Sequence, residues 1–248
     1  MTGLIPSGRN QGGVRPPWFT AGLALVMPAL YVAFGPQPDL LMYDRAGIAA
    51  GEWWRLVTGH LVHADLGHLA ANVLALVILG GVLESLQRLG IKTLLLLVSF
   101  GIVVIDAVLW LELPGLVRYC GFSGVLNSLF IVAVYEQWRS SGDWLYRALA
   151  IGGLGKIAIE SGSAGAVLPL SSLPSVTEAH FAGFVAGVVL CTLTAAWTAR
   201  GELPLSALHT STCSRRRVDL ATCNSISTSC GTSAIPVRRR QTVRAPGR

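Results

Sequence analysis

Gly121-Phe122-Ser123-Gly124-Val125-Leu126-Asn127 is the stretch on which the fold turns, because it sets a serine between two glycines at the start of an uncharged run of membrane-spanning character. Gly121 and Gly124 carry no side chain, so a second strand or helix can approach the Ser123 hydroxyl closely from either side. A serine in an apolar helix ordinarily bonds to a backbone carbonyl one turn back. That plain role stands for Ser123 unless the rest of the chain brings reactive groups to it.

Outward from this stretch the chain is apolar. Of 248 residues 52% are hydrophobic and 13% charged, with a mean hydropathy of +0.57, which excludes an ordinary soluble domain and indicates a polytopic membrane protein. A net charge of +6 would direct a soluble chain toward nucleic acid. Here the basic residues gather between and beyond the apolar runs, so membrane topology accounts for them and no nucleic-acid partner is expected. Arg9 and Arg15 precede the first apolar run without a small-residue cleavage site after it, and a retained first helix is expected rather than a secretory signal. The cysteines, at 120, 191, 213, 223 and 230, are odd in number and irregular in spacing. They form neither a disulfide framework nor a zinc pattern.

Six spans are expected. Residues 1–16 read as a disordered cytoplasmic amino terminus, 17–199 as the membrane domain and 200–248 as a disordered basic tail that rests on anionic lipid, with Arg215-Arg216-Arg217 and Arg238-Arg239-Arg240. Span one lies within 16–38, with Trp18 and Tyr31 as interfacial anchors. The connection over 37–67 holds Asp39, Asp44, Arg45, Glu52, Trp53, Trp54, Arg55, His60, His63 and Asp65. It is too polar to cross lipid, and a structured interfacial loop with short helical pieces is expected. Span two covers 67–86 and carries His68 and Asn72, span three 92–111 with Asp106 inside, span four 119–138, span five 144–160 and span six 178–198. Arg147 and Lys156 interrupt span five.

Charge sets the orientation. With the amino terminus in the cytoplasm, the inner segments hold Arg9, Arg15, Arg88, Lys92, Arg139, Arg147, Arg200 and the tail arginines, against Arg45, Arg55 and Arg118 outside. Spans two, four and six then all start at the outer face. His68 with Asn72, Ser123, and His180 each fall within about two turns of those starts, so topology brings them to one depth; it brings no other ionisable pair together.

His180 heads span six, and Gly183 and Gly187 follow it by three and seven residues on the same helical face. A face of this kind packs tightly on another helix, and a histidine inside a membrane span points to function, although an interhelical hydrogen bond would also satisfy it. If the partner is span four, His180 can take the Ser123 proton. His68 and Asn72 stand four apart on one face of span two, and both are donors. Donors aimed at one point suit a developing oxyanion, and the Ser123 amide near its helix start could add a third; interhelical bonds are the alternative. A metal site from His60, His63 and His68 is disfavoured, since spacings of three and five share no helical face and no His-Glu-x-x-His occurs. The tail cysteines with His209 lack paired spacing. Glu178 and Asp106 are poorly placed for a third, acidic member, so a Ser-His dyad is expected. Lys156 and Glu160, four apart, read as a structural pair.

The ordered motifs resemble those of the rhomboid intramembrane serine proteases. They are Trp53-Trp54-Arg55, His63, His68 with Asn72, Gly80-Gly81-Val82-Leu83-Glu84, Gly121-Phe122-Ser123-Gly124, and Ala179-His180 with Gly183 and Gly187, across about residues 50 to 195. The resemblance implies an all-α polytopic membrane protein with a six-helix rhomboid-like bundle. Ser123 would be the nucleophile, His180 the base, and His68 and Asn72 the oxyanion donors; Trp54, Arg55, Glu84 and the glycines would be structural. No cofactor is implied, and the partners are the lipid bilayer and membrane proteins bearing a transmembrane segment. Rhomboids commonly carry an aromatic residue one turn after the serine, where this chain has Asn127, which could hold His180 by a hydrogen bond instead. That position, the compact plan and the Lys156 and Glu160 pair look more like the rhombosortases. That branch implies a bacterial inner membrane and surface-protein substrates with a carboxy-terminal sorting segment.

Overall fold

The computed structural model describes residues 16–86, 89–163 and 176–199. The expected amino-terminal segment up to residue 15, Arg88, most of the loop before span six, and the basic tail with His209 and Cys213, Cys223 and Cys230 lie outside the described residues. The described chain is mostly helical. In order it forms α1 (Trp18–Phe34), β1 (Tyr43–Asp44), α2 (Arg45–Ala49), α3 (Arg55–Leu61), α4 (Leu66–Gly81) running on through a π-helical stretch (Val82–Leu86), α5 (Ile91–Leu111), β2 (Arg118–Tyr119), α6 (Ser123–Ser141), α7 (Trp144–Ser163) and α8 (Thr177–Ala199). Among the described residues, three helices are long and apolar enough to cross a bilayer by length and composition alone: Leu66–Ser85, Ile91–Leu111 and Thr177–Ala196. The 17-residue α1 is shorter, while α6 and α7 are diluted by Glu136, Arg139, Arg147, Lys156 and Glu160.

The connection expected to lie in the interface folds into α2 and α3. Asp44 caps α2 by accepting from the Gly47 amide at 2.8 Å. Arg55 is buried and holds the loop closed: its guanidinium donates to the carbonyls of Asp39 and Met42, the latter at 3.0 Å, and pairs with Glu52. The Trp54 indole donates to the Leu40 carbonyl at 3.1 Å. Arg45 reaches across to the end of α5, where it donates to the carbonyls of Leu109, Trp110 and Leu113 and sits 4.4 Å over the Trp110 ring. Leu109 and Trp110 are in the last turn of α5, where a helix leaves its carbonyls without partners.

The fold departs from all-α at one point. Tyr119 was expected to open span four, yet it pairs antiparallel with Tyr43, as Arg118 before it does with Asp44, and α6 starts only at Ser123. Gly121 is the reason. Its φ of +120° is barred to ordinary side chains and breaks the path from strand to helix. The Gly121 amide donates to the Gly59 carbonyl at 3.0 Å and its own carbonyl accepts from the Tyr119 hydroxyl at 2.9 Å, which straps this corner to α3.

Glycines set the helix seams. A Cβ at Gly80 would collide with the Thr20 side chain of α1, and one at Gly124 would come within 2.9 Å of the Ala179 carbonyl of α8. At Gly187 it would meet the Ser128 carbonyl at 2.8 Å, and at Gly183 it would overlap the Gly124 carbonyl. The glycine face predicted for span six thus packs on α6, with backbone against backbone. Glu84, in the π-helical stretch, fastens α1: its carboxylate accepts from the amides of Phe19 at 3.0 Å and Thr20 at 2.9 Å, and from the Thr20 hydroxyl at 2.9 Å.

Candidate active site

Three helix starts and one helix end converge. Ser123 opens α6 immediately after the fully buried Phe122, so its position is fixed by the Gly121 corner before it and the α8 seam beside it. His180 lies in the first turn of α8, buried at 9% exposure. Its Nε2 is 2.8 Å from Ser123 Oγ. An imidazole nitrogen at this distance from a hydroxyl can exchange a proton with it, which leaves the oxygen nucleophilic.

The other face of the ring is engaged too. His180 Nδ1 lies 3.0 Å from Glu160 Oε2 near the end of α7, and Glu160 Oε1 accepts from Lys156 Nζ at 2.7 Å. This corrects the expectation that no acidic residue reaches the histidine. The i,i+4 pair in span five was legible, but a carboxylate has two oxygens, and only the first is used by the lysine. The second is turned inward to α8, at a separation in sequence no spacing rule could bridge. A second unforeseen pair joins His60 Nε2 of α3 to Asp106 Oδ1 of α5 at 3.2 Å, so the register does unite another ionisable pair. The same His60 ring meets Tyr119 edge-on at 5.4 Å, and it takes His60 away from any shared site with His63 and His68.

His68 comes to the serine corner from α4. Asp65 caps that helix by accepting from the His68 amide at 2.8 Å, and the His68 ring lies so close to Gly121 that a Cβ there would come within 2.7 Å of Nε2. Asn72, one turn further on, is buried at 4% exposure and its Nδ2 has no hydrogen-bond partner among the described residues. A buried amide donor left open is costly in an ordinary core and suits a site where an acceptor arrives with a ligand. Asn127 behaves differently from the expected role. Its Nδ2 donates to the Ser123 carbonyl at 2.9 Å, the carbonyl one turn back that a short amide reaches most easily, rather than to His180. Trp54, Arg55 and Glu84 make their bonds in the loop and at the α1 latch.

His63, in the connection between α3 and α4, is buried and packs edge-on to His68 at 5.1 Å between ring centres. Burial first, then the neighbouring His68, push its pKa down to about 3. Among the described residues no cluster of three histidine, cysteine or acidic side chains is arranged to hold a metal ion.

Residues 50–197 match the Rhomboid domain, more than half of the chain. The chain belongs to the rhomboid family. It is similar to the Rhomboid-like protein 11, chloroplastic, of Arabidopsis thaliana, at 32% identity over 148 residues that cover 56% of this chain and 51% of that protein. It is also similar to the Rhomboid protease GluP of Bacillus subtilis (strain 168), at 34% identity over 107 residues, 43% of this chain and 20% of that one. The chain therefore spans about half the length of one curated relative and a fifth of the other. With its apolar helices, rhomboid membership makes it an integral membrane protein. The matched segment contains each rhomboid motif residue named above from Trp53 to Gly187.

Proposed function

We propose that this rhomboid protein is an intramembrane serine endopeptidase that cuts transmembrane or carboxy-terminal sorting-signal helices near the outer face of a bacterial inner membrane. The observation that carries the proposal is the 2.8 Å contact between Ser123 Oγ and His180 Nε2 at the adjoining starts of two helices locked through Gly124 and Gly183. Ser123 Oγ attacks the scissile carbonyl carbon as its proton passes to His180 Nε2; the C–N bond then breaks and the proton goes to the leaving amine. Water, activated by the same histidine, releases the acyl group. The oxyanion formed at the attacked carbonyl is held by the Asn72 amide, His68 and the Ser123 backbone N–H, one of the unpaired amides of the first turn of α6.

The substrate helix must unwind locally, since a hydrogen-bonded helical backbone shields its carbonyls, so helix breakers or small residues belong near the cut. In this reading α1 and α4 to α8 all cross the membrane, and the basic residues put both termini in the cytoplasm. A rhombosortase-like preference for sorting segments rests on the non-aromatic Asn127. One relative, the Rhomboid protease GluP, bears a protease's name, in agreement with the hydrolytic reading.

A second reading has Asn127 in its favour: a pseudoprotease that binds membrane helices without cutting them. Labelling of the detergent-purified protein with a fluorophosphonate separates the two. The protease requires labelling that disappears in Ser123→Ala and in His180→Ala; a folded wild type that never labels would leave the binding role.

A further inference from the structure

A Lys-Glu pair four apart on a helix serves structure when both side chains lie along the surface. The pair in α7 does not. Glu160 is 2% exposed at its side chain, whereas Lys156 is 43% exposed. A carboxylate taken out of solvent to this degree is costly unless both oxygens are engaged in good geometry. Here Oε1 takes a proton donor from Lys156 at 2.7 Å, and Oε2 faces His180 Nδ1 at 3.0 Å, on the opposite side of the ring from the Ser123 contact.

We propose that Glu160 is a positioning residue for His180, and that Lys156 in turn fixes the Glu160 carboxylate, so that the charge chain runs Lys156, Glu160, His180, Ser123. The inference rests on the hydrolytic role given above to Ser123 and His180. Its chemical content is the tautomer. His180 can accept the Ser123 proton only if Nε2 is bare, which requires the ring proton on Nδ1, and an acceptor at Nδ1 holds it there. Glu160 Oε2 is that acceptor. Once Nε2 has taken the serine proton, the same carboxylate faces the imidazolium and offsets its charge in a site with little water to do so. Lys156 occupies Oε1, which stops the carboxylate from rotating away.

The lysine makes the test specific. In Glu160→Gln the Lys156 ammonium, a donor only, selects the amide oxygen, and this turns the amide NH2 toward His180 Nδ1. Two donors cannot face each other, so the ring proton is forced onto Nε2, the wrong nitrogen for accepting from Ser123. Turnover of a transmembrane substrate by Glu160→Gln should therefore fall on the order of 1,000-fold in kcat, with KM within about twofold because Glu160 does not touch substrate. Glu160→Asp should recover part of the loss. Adding Lys156→Met to Glu160→Gln frees the amide to flip and should recover at least about tenfold, which no loss of a merely structural ion pair would do.

Nitrogen NMR of 15N-histidine-labelled protein reads the ring directly: proton on Nδ1 in wild type, on Nε2 in Glu160→Gln. An unchanged tautomer with kcat within about threefold of wild type would overturn the proposal, as would a Lys156→Met, Glu160→Gln double variant no better than Glu160→Gln alone. A wild type that neither labels nor cleaves sinks the hydrolytic reading instead. The nitrogen spectrum still decides the placement of the proton, since it needs no turnover.

Discussion

Gly183 of α8 lies against the carbonyl of Gly124 in α6, with no room for a Cβ between them. Ser123 and His180 stand one and three residues from this contact, so the distance between the two helices sets the distance between hydroxyl and ring. Gly183→Ala must push the helices apart, and overpacking of this kind costs about 1–3 kcal/mol. The expected result is a lower melting temperature in detergent and at least a tenfold slower fluorophosphonate labelling of the protein that remains folded. Gly81→Ala is the control, because nothing lies within 4 Å of a Cβ there and both readings should stay at wild-type level. Labelling of Gly183→Ala at the wild-type rate would show that the seam does not govern the site.

Asn127 stands where rhomboids commonly have an aromatic residue, and its amide is spent on the Ser123 carbonyl at 2.9 Å. A side chain tied to its own helix contributes about 0.5–1.5 kcal/mol of stability through that bond and does not steer His180. Asn127→Ala should accordingly keep kcat within about threefold of wild type. A loss of a hundredfold or more would mean that Asn127 leaves the carbonyl and holds the histidine during turnover.

The helices were legible because they depend on local periodicity, and the approach of His180 to Ser123 because both stand at the starts of their helices. Apolar runs marked the helices of the bundle, and the spacing of His180, Gly183 and Gly187 predicted one close-packing face, which is the face that meets Gly124 and Ser128. What stayed hidden depends on relations between distant segments. The pairing of Tyr43–Asp44 with Arg118–Tyr119 involves two-residue strands too short to carry an alternating pattern. His60 with Asp106 and Glu160 with His180 are each joined through tertiary packing, and in the second case the nearer lysine supplied a complete local explanation for the glutamate. Glu160, turned inward against α8, lowers the hydropathy of α7 just as a lipid-facing carboxylate would.

Glu84 joins α1 to the end of the α4 helix by three hydrogen bonds to one carboxylate, and bonds to a charged acceptor are worth about 1.5–3 kcal/mol each when undisturbed. Glu84→Ala should lower the melting temperature clearly, with a loss of about 2–4 kcal/mol once water replaces part of the lost bonding. His68 lies at the other end of α4, so labelling of Ser123 in the cold should remain within about twofold. An unchanged melt would show that α1 is held by its contacts with Gly80 and the core alone.

His63 makes stability depend on pH, and the sign follows from its surroundings. The ring is buried and faces His68 from α4 and Asp65 from the intervening turn. Its pKa falls from 6.5 to about 3 on folding, with burial the leading cause and His68 the second, while Asp65 acts the other way. As pH drops, the unfolded chain takes up the proton first. The contribution of His63 to stability is therefore complete above about pH 6.5 and drains away as pH falls toward 3. Between pH 7 and pH 5 the loss amounts to about 2 kcal/mol. Thermal melts in detergent should show wild type losing more stability over that interval than His63→Leu, whose apolar side chain has no proton to bind. Parallel curves for the two proteins would mean that His63 keeps its solution affinity for protons, and that the acid sensitivity belongs to other groups.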